Sequence, residues 1–379
     1  MRRRIVLLAT LVAGLATGPA LGTEIDDAIA AIKSVKREGA GNSAAAEAWK
    51  TLVKRGPAAL PAILTAYDGA DATQANWLRA AVDAIAEAEQ QADRKLPANA
   101  LESFFADVKR DPRARTIALD LLTQADPAAK GRLLAERLDD PSAGVRREAV
   151  AFALEKAGKD KAALQHVFAA ARDVDQIEAI AKQLKDAGAE PDGVAKFGFI
   201  TKWLLCGPFD NAGLKGFAAR PPEKAEWKEF AMIHSRGMVD LYTAFNKPKG
   251  VNKAGKKDAV YAFARVDLES PAEQPAQIRI GSQNAIKIYL NGQEVYSRDE
   301  YHHGTRIDQH IAPVTLKQGV NQIVLNVCQD DMAYEWCYPW SFQLRITDAI
   351  GTPISLKQLS ATSAVAVPPA PEPKKEPTK

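Results

Sequence analysis

The chain has 379 residues, with 50 Lys and Arg against 47 Asp and Glu, so its formal charge is only +3. All of that excess is Arg2, Arg3 and Arg4, and residues 1–22 hold no acidic group; the remainder balances at zero, which removes the net basic field on which nucleic-acid or anionic-membrane binding rests. With 46% hydrophobic and 26% charged residues the composition excludes wholesale disorder, and the length suffices for two domains.

The three arginines precede an apolar run, Ile5 to Leu15, and then small residues ending Ala20-Leu21-Gly22. This is the layout of a secretory signal peptide over residues 1–22. A retained membrane anchor is the alternative, but about 20 apolar residues are needed to span a bilayer. The run here is shorter and is broken by Thr10, Gly14, Thr17 and Gly18. The expectation is an exported protein, periplasmic or secreted, with no transmembrane span in the mature chain.

From residue 24 to about 193 the sequence is Ala-rich and predicts helices over 44–54, 58–67, 74–89, 98–109, 113–124, 127–138, 142–157, 161–172 and 175–187. Apolar residues recur at helical spacing: Trp77, Leu78, Ala81, Val82 and Ile85 form one stripe, and Val145, Ala149, Phe152 and Ala153 another. Asp111-Pro112 and Asp140-Pro141, 29 residues apart, each place a capping carboxylate before a proline whose missing N–H costs nothing at the first helical position. That separation is near the low end for a helix-pair repeat, and helix pairs repeating at roughly 35 to 45 residues cannot close a core singly and must stack. The segment from Leu138 to Leu154, with its Asp-Pro turn and Val145-Arg146, resembles a HEAT repeat. That resemblance implies an α-solenoid; an irregular helical bundle is the alternative.

Beyond Pro191 the period changes to two. Ala262, Ala264, Val266 and Leu268 alternate with Phe263, Arg265 and Asp267; Ile286, Ile288 and Leu290 alternate with Lys287 and Tyr289; Phe342, Leu344 and Ile346 alternate with Gln343 and Arg345. These are expected to be half-buried strands. Asn291-Gly292 predicts a type I′ hairpin, and Lys317-Gln318-Gly319 a second hairpin. About eight strands without intervening helices over residues 194–360 read as an antiparallel β-sandwich of jelly-roll type. The final segment, 361–379, holds five prolines and three lysines and is expected to be an extended, disordered tail.

Four stretches carry a resemblance: Trp203 to Asp210, Ile280 to Gly292, Leu316 to Val327 and Phe342 to Asp348. They resemble the galactose-binding-like β-sandwiches attached to many extracytoplasmic bacterial proteins. The resemblance implies carbohydrate binding. Relatives often carry adjacent Asp residues after the Gly-Ser step, and this chain has Gln283-Asn284 there, which removes the usual support for a metal-assisted site in that loop.

The candidate site is the loop from Tyr334 to Trp340, which follows Asp330-Asp331 and lies between the last two strands. Aromatic faces stack on the C–H face of a sugar while carboxylates accept its hydroxyls. Trp340 shares the parity of Phe342 and Leu344 and is assigned to the core. The candidate ligand-binding residues are therefore Tyr334, Trp336, Tyr338, Asp330 and Asp331, with Tyr301 and Arg306 from a second loop. Cys328, before the aromatic loop, and Cys337, within it, form a candidate disulfide in an oxidising compartment; Cys206 reads as a buried small hydrophobe. His302, His303 and His310, with Asp299, Glu300 and Asp308, are dense in ionisable groups but match no metal-ligand spacing. No nucleophile elbow, His-Glu-x-x-His helix, phosphate loop or haem motif is present. The reading is a non-catalytic exported protein without cofactor, in which the sandwich binds a glycan or envelope polysaccharide and the helical repeats bind a protein partner. A scaffold binding only proteins is the alternative, and a hydrolase with an unrecognised site a lesser one.

Overall fold

The computed structural model describes residues 21–222, 225–231, 236–247 and 258–360. The expected leader, apart from Leu21 and Gly22, and the expected tail lie outside the described residues. Helices fill the first half, antiparallel sheets the second, and the chain divides into two compact units, one ending at Ala153 and the other beginning at Leu154.

The helices are α1 (Leu21–Lys33), α2 (Asn42–Arg55), α3 (Leu60–Thr65), α4 (Ala72–Gln91), α5 (Ala98–Ala106), α6 (Pro112–Ala125), α7 (Ala129–Leu134), α8 (Ala143–Ala157), α9 (Lys161–Ala170), α10 (Val174–Asp186), α11 (Gly193–Phe197) and, among the strands, α12 (Leu241–Ala244). The Leu78, Ala81, Val82 and Ile85 stripe of α4 is buried in the core of the first unit beside Leu52, Leu60, Leu101 and Ile117. Asp111 caps α6, its carboxylate accepting from the backbone N–H of Arg113 at 2.8 Å.

Asp140 makes the expected backbone contact, its carboxylate accepting from the Ser142 N–H at 2.9 Å, and has a second role besides. The following helix begins at Ala143. Ser142 takes the cap position, its hydroxyl accepting from the Val145 N–H at 3.4 Å. The same Asp140 carboxylate also receives both guanidinium nitrogens of Arg115, at 2.6 and 2.8 Å, with both side chains essentially inaccessible to water. Arg115 lies over the Phe105 ring and donates through Nε to the Phe105 carbonyl. The pair thereby ties α5, α6 and the turn before α8.

The strands are β1 (Lys202–Asp210), β2 (Lys228–Ala231), β3 (Val239–Asp240), β4 (Val260–Ser270), β5 (Gln274–Gly281), β6 (Ala285–Leu290), β7 (Gln293–Arg298), β8 (His310–Leu316), β9 (Gly319–Gln329), β10 (Ser341–Thr347) and β11 (Lys357–Gln358). One sheet has the order β2-β1-β4-β9-β6-β7, with β11 on β4; the other has the order β3-β10-β5-β8. All pairings are antiparallel. Their facing side chains, among them Trp203, Ala264, Val266, Ile278, Ile288, Leu325, Trp340, Phe342 and Leu344, make one core between the two sheets.

Asn291 and Gly292 both have positive φ, as a type I′ turn requires, and join β6 to β7. The expected second hairpin is instead a crossover: β8 pairs only with β5, whereas β9 pairs with β4 and β6 in the other sheet. Asn321 holds that turn, its amide accepting from the Lys317 N–H and donating to the Lys317 carbonyl. The strands are also more buried than simple alternation predicts. All seven positions of β10 are buried, because the outward Gln343 and Arg345 are covered by the segment that follows β7 and by the chain around Phe197 and Gly351.

Removing one partner of a buried, bidentate ion pair leaves the other charge uncompensated. Asp140→Ala is therefore expected to lower the unfolding free energy by about 3–5 kcal/mol in a urea titration. An apolar replacement of both residues, Arg115→Met with Asp140→Leu, should recover most of that loss.

Candidate functional site

The chain leaves the large sheet at Gln329 and enters the small one at Ser341, so the residues between them cross the end of the sandwich. A short 3-10 turn, Glu335–Cys337, shapes this loop. It places two large aromatic side chains in solvent, Tyr334 at 64% exposure and Trp336 at 60%. Their rings lie 5.9 Å apart at 8° between planes. Met332 beside them is also exposed, and Asp331 and Glu335 present their carboxylates to water on the same loop.

The underside of the loop is fixed by polar contacts. The Gln283 amide donates to the Trp336 and Pro339 carbonyls at 3.4 and 3.3 Å, and the Asn284 amide donates to the Pro339 carbonyl at 3.2 Å. Asn284 Oδ1 accepts from the Ser341 N–H at 3.0 Å, and the Ser282 hydroxyl donates to the Ser341 carbonyl at 2.8 Å. Gln329 donates to the Cys337 and Pro339 carbonyls at 2.9 and 3.0 Å. Carboxylates could not donate these bonds, which gives a physical reason for Gln-Asn after the Gly-Ser step.

The segment between β7 and β8 meets this loop through His302. Its backbone sits at φ 62°, and its N–H donates to the Gln283 carbonyl at 2.7 Å. Its Nε2 lies 2.6 Å from Asp330 Oδ2, and its ring stands edge-on to Trp336 with centroids 5.4 Å apart. Asp330 Oδ1 accepts from the Met332 N–H at 3.2 Å.

The predicted site residues thus separate. Tyr334, Trp336 and Asp331 are exposed together. Asp330 is turned inward and braces the loop. Tyr338 is half-buried and closes the loop on itself, donating from its hydroxyl to the Ala333 carbonyl at 3.2 Å. Tyr301 points inward rather than to a ligand: its hydroxyl is buried, and burial raises the phenol pKa. Arg306 is exposed, and its carbonyl lies so close over Gly281 that a Cβ there would overlap it. Sequence reasoning missed His302, Gln283 and Asn284 as supports; the only signal was the unusual Gln-Asn pair.

All three cysteines are buried thiols outside any disulfide, so the expected Cys328–Cys337 bridge is absent. The reason is strand parity. Cys328 faces the same side of β9 as Asn326, to which its thiol donates at 3.2 Å, whereas its neighbour Gln329 faces the opposite side and reaches Cys337. Burial raises the Cys328 thiol pKa.

The histidines do not converge. His302 is taken by Asp330, and His303 Nδ1 accepts from the Gln309 amide at 2.7 Å. The Gln309 oxygen is committed to the Ser282 and Arg306 N–H groups, so its amide orientation is fixed. Among the described residues no group of three or more His, Cys, Asp or Glu side chains is arranged to hold a metal ion. His310 is 8% exposed, and its pKa is pushed down to about 4 by burial first and then by the Arg298 and His303 charges. A cavity of about 840 Å³ lies at the other end of β4, lined by Trp203, Arg265, Asp267, Leu268 and Ile354. Its Asp267 carboxylate is held by Arg265 at 2.6 Å, and no histidine or cysteine lines it.

Among the described residues no helix is long and apolar enough to cross a membrane. No family model matches the chain, and no curated protein does. Solved structures show slight likenesses. The PA14 domain of the antifreeze protein MpAFP is 12% identical over 24% of this chain and 43% of its own, with a TM-score of 0.19. A β-glucosidase from Kluyveromyces marxianus in complex with glucose is 14% identical over 32% of this chain and 14% of its own, at 0.24. The GH31 α-xylosidase of Xanthomonas citri is 12% identical over 43% of this chain and 18% of its own, at 0.20. The chain spans less than half of each, and likenesses this slight identify no relative.

Two outcomes follow from these contacts. Gln283→Glu sets carboxylate oxygens against the Trp336 and Pro339 carbonyls and should cost about 1–3 kcal/mol at pH 7, read as a lower unfolding midpoint than wild type, with the gap narrowing near pH 4 as the new carboxyl takes a proton. For His310 the unfolded chain binds a proton near its ordinary 6.5 and the folded chain near 4, so its contribution is fully present above about pH 6.5 and falls as the pH drops toward 4. The slope is at most about 1.4 kcal/mol per pH unit, and His310→Gln should flatten it in denaturation curves at pH 7 and 4.5.

Proposed function

We propose that this chain is an exported, non-catalytic binding protein whose β-sandwich holds a carbohydrate on the Tyr334 and Trp336 faces and whose stacked, HEAT-like helices hold a protein partner. The observation that carries the reading is the pair of exposed, nearly parallel rings on a loop braced from beneath. Burying aromatic surface is favourable, so two such rings left in water on a fixed loop suit a ligand with a flat apolar face. A pyranose has that face, and Asp331 and Glu335 stand beside the rings to accept its hydroxyls.

His302 and Asp330 form the kind of base and carboxylate couple that hydrolases use. The remaining ring nitrogen, Nδ1, is buried without a hydrogen-bond partner, so a substrate proton does not reach it from solvent. This supports binding without turnover. Export rests on the leader-like N-terminal sequence.

A glycan array probed with the full chain tests the carbohydrate half. Binding to at least one neutral, acidic or cell-wall glycan is expected. Trp336→Ala should then weaken it by about 30-fold, the loss typical of a central aromatic anchor, with the unfolding midpoint unchanged. Silence across the whole array removes the carbohydrate reading, and an unchanged affinity moves the site elsewhere. A stoichiometric protein that co-purifies and is lost on Trp336→Ala would instead favour the scaffold reading, for which the neighbouring exposed Met332 is the motivation.

A further inference from the structure

The aromatic face also matches a segment of the same chain. Proline-rich peptides dock on exposed aromatic rings, because the pyrrolidine packs flat on a ring face and the polyproline II conformation has little freedom left to lose. Residues 361–379, outside the described residues, contain Val367-Pro368-Pro369-Ala370-Pro371-Glu372-Pro373-Lys374-Lys375. We propose that this segment docks in cis on the Tyr334 and Trp336 faces and competes there with other ligands.

Reach and charge support this occupant. The Leu359 N–H donates to the Asp267 carbonyl at 3.0 Å, which fixes where the segment starts. Seven positions along β4 from Asp267 lies Val260, paired with Gln329, the last strand residue before the aromatic loop. Seven strand residues cover about 23 Å, and any seven residues in polyproline II, the length of 361–367, would cover about 22 Å. A run of that length is therefore enough to bring Pro368 and Pro369 to the level of the loop, and the chain from 368 to 379 leaves length for a path around the sheet edge. From Asp330 to Trp340 the loop carries two exposed carboxylates, Asp331 and Glu335, and no Lys or Arg, whereas Lys374 and Lys375 directly follow the prolines. Tethering raises the local concentration of the segment to about the millimolar range, so a weak intrinsic affinity is enough.

The docking does not require a carbohydrate ligand; the competition does, and in that respect it rests on the function proposed above. Both are tested with the chain labelled with 5-fluorotryptophan, the Trp336 resonance being assigned by Trp336→Phe. Truncation after Ser360 should move the Trp336 resonance and leave the other tryptophans in place. Replacing Pro368, Pro369, Pro371 and Pro373 together by Ala in the full chain should move it the same way. Millimolar peptide of sequence 361–379 should return the truncated chain to the full-chain position. A Trp336 resonance identical in full and truncated chains overturns docking, and a position that changes on tenfold dilution of the full chain overturns docking in cis. Any glycan positive on the array should bind the truncated chain at least fivefold more tightly; equal affinities overturn competition. If docking is seen and no glycan binds, the carbohydrate reading falls and the docking stands.

Discussion

Asp308 is held between two guanidinium groups on the outer face of the small sheet. Arg345 of β10 donates to it from Nε at 2.7 Å, and Arg279 of β5 from Nη1 at 2.7 Å. Burial alone would raise its pKa; the hydrogen bonds and charges of Arg345 and Arg279 outweigh that and hold the carboxyl below its usual range. Arg345 also donates to the Phe197 and Gly351 carbonyls, so three separate stretches of chain meet at one ion cluster. The consequence reaches the candidate site. With Asp308 pinned, the segment before it lies flat on Gly281 and delivers His302 to Asp330 and Trp336. The exposed rings are therefore positioned through a chain of contacts that begins at a half-buried carboxylate on a sheet face.

That chain explains which parts were legible in the sequence. Periodicity identified the helical and sheet halves because a period of 3.6 or 2 is set by which faces are buried, and the Leu78 to Ile85 stripe and the Trp340 parity lie where the pattern places them. Asn291-Gly292 was legible because a two-residue turn with positive φ is a local requirement. What was not legible depends on partners distant in sequence. Asp140 has the local grammar of a cap and accepts the Ser142 N–H, but the arginine that also claims it lies 25 residues away. Lys317-Gln318-Gly319 has the grammar of a hairpin, and only the competition of β4 and β6 for β9 turns it into a crossover. The Cys328–Cys337 pairing followed from closeness in sequence and failed because adjacent strand residues face opposite sides.

At the candidate site the same distinction separates exposed from supporting residues. Composition alone pointed to an aromatic loop with carboxylates. It could not tell Asp330 from Asp331, although one is locked to His302 and the other stands in water. Nor could it rank Tyr334, Trp336 and Tyr338, since the third is turned back to close its own loop. The amides of Gln283, Asn284 and Gln329 all donate to carbonyls of the loop, which gives a stretch with one short 3-10 turn a single backbone path.

Such bracing decides what an exposed aromatic pair can do. A mobile loop must be ordered on binding, at about 1–2 kcal/mol per residue fixed, and a single stacked ring would rarely offset that. Here the ordering is already in the fold, supplied by amide donors and by the His302 and Asp330 contact, so stacking energy is available to whatever lies on the rings. A sugar and a proline both offer a rigid ring with polarised C–H groups, and both lose little entropy on contact. Discrimination between them falls to the rim: Asp331 and Glu335 can accept the hydroxyls of a neutral sugar or pair with lysines beside a proline run, and they repel an anionic glycan. On the proposed reading, the carboxylates rather than the rings are the selective element of this face.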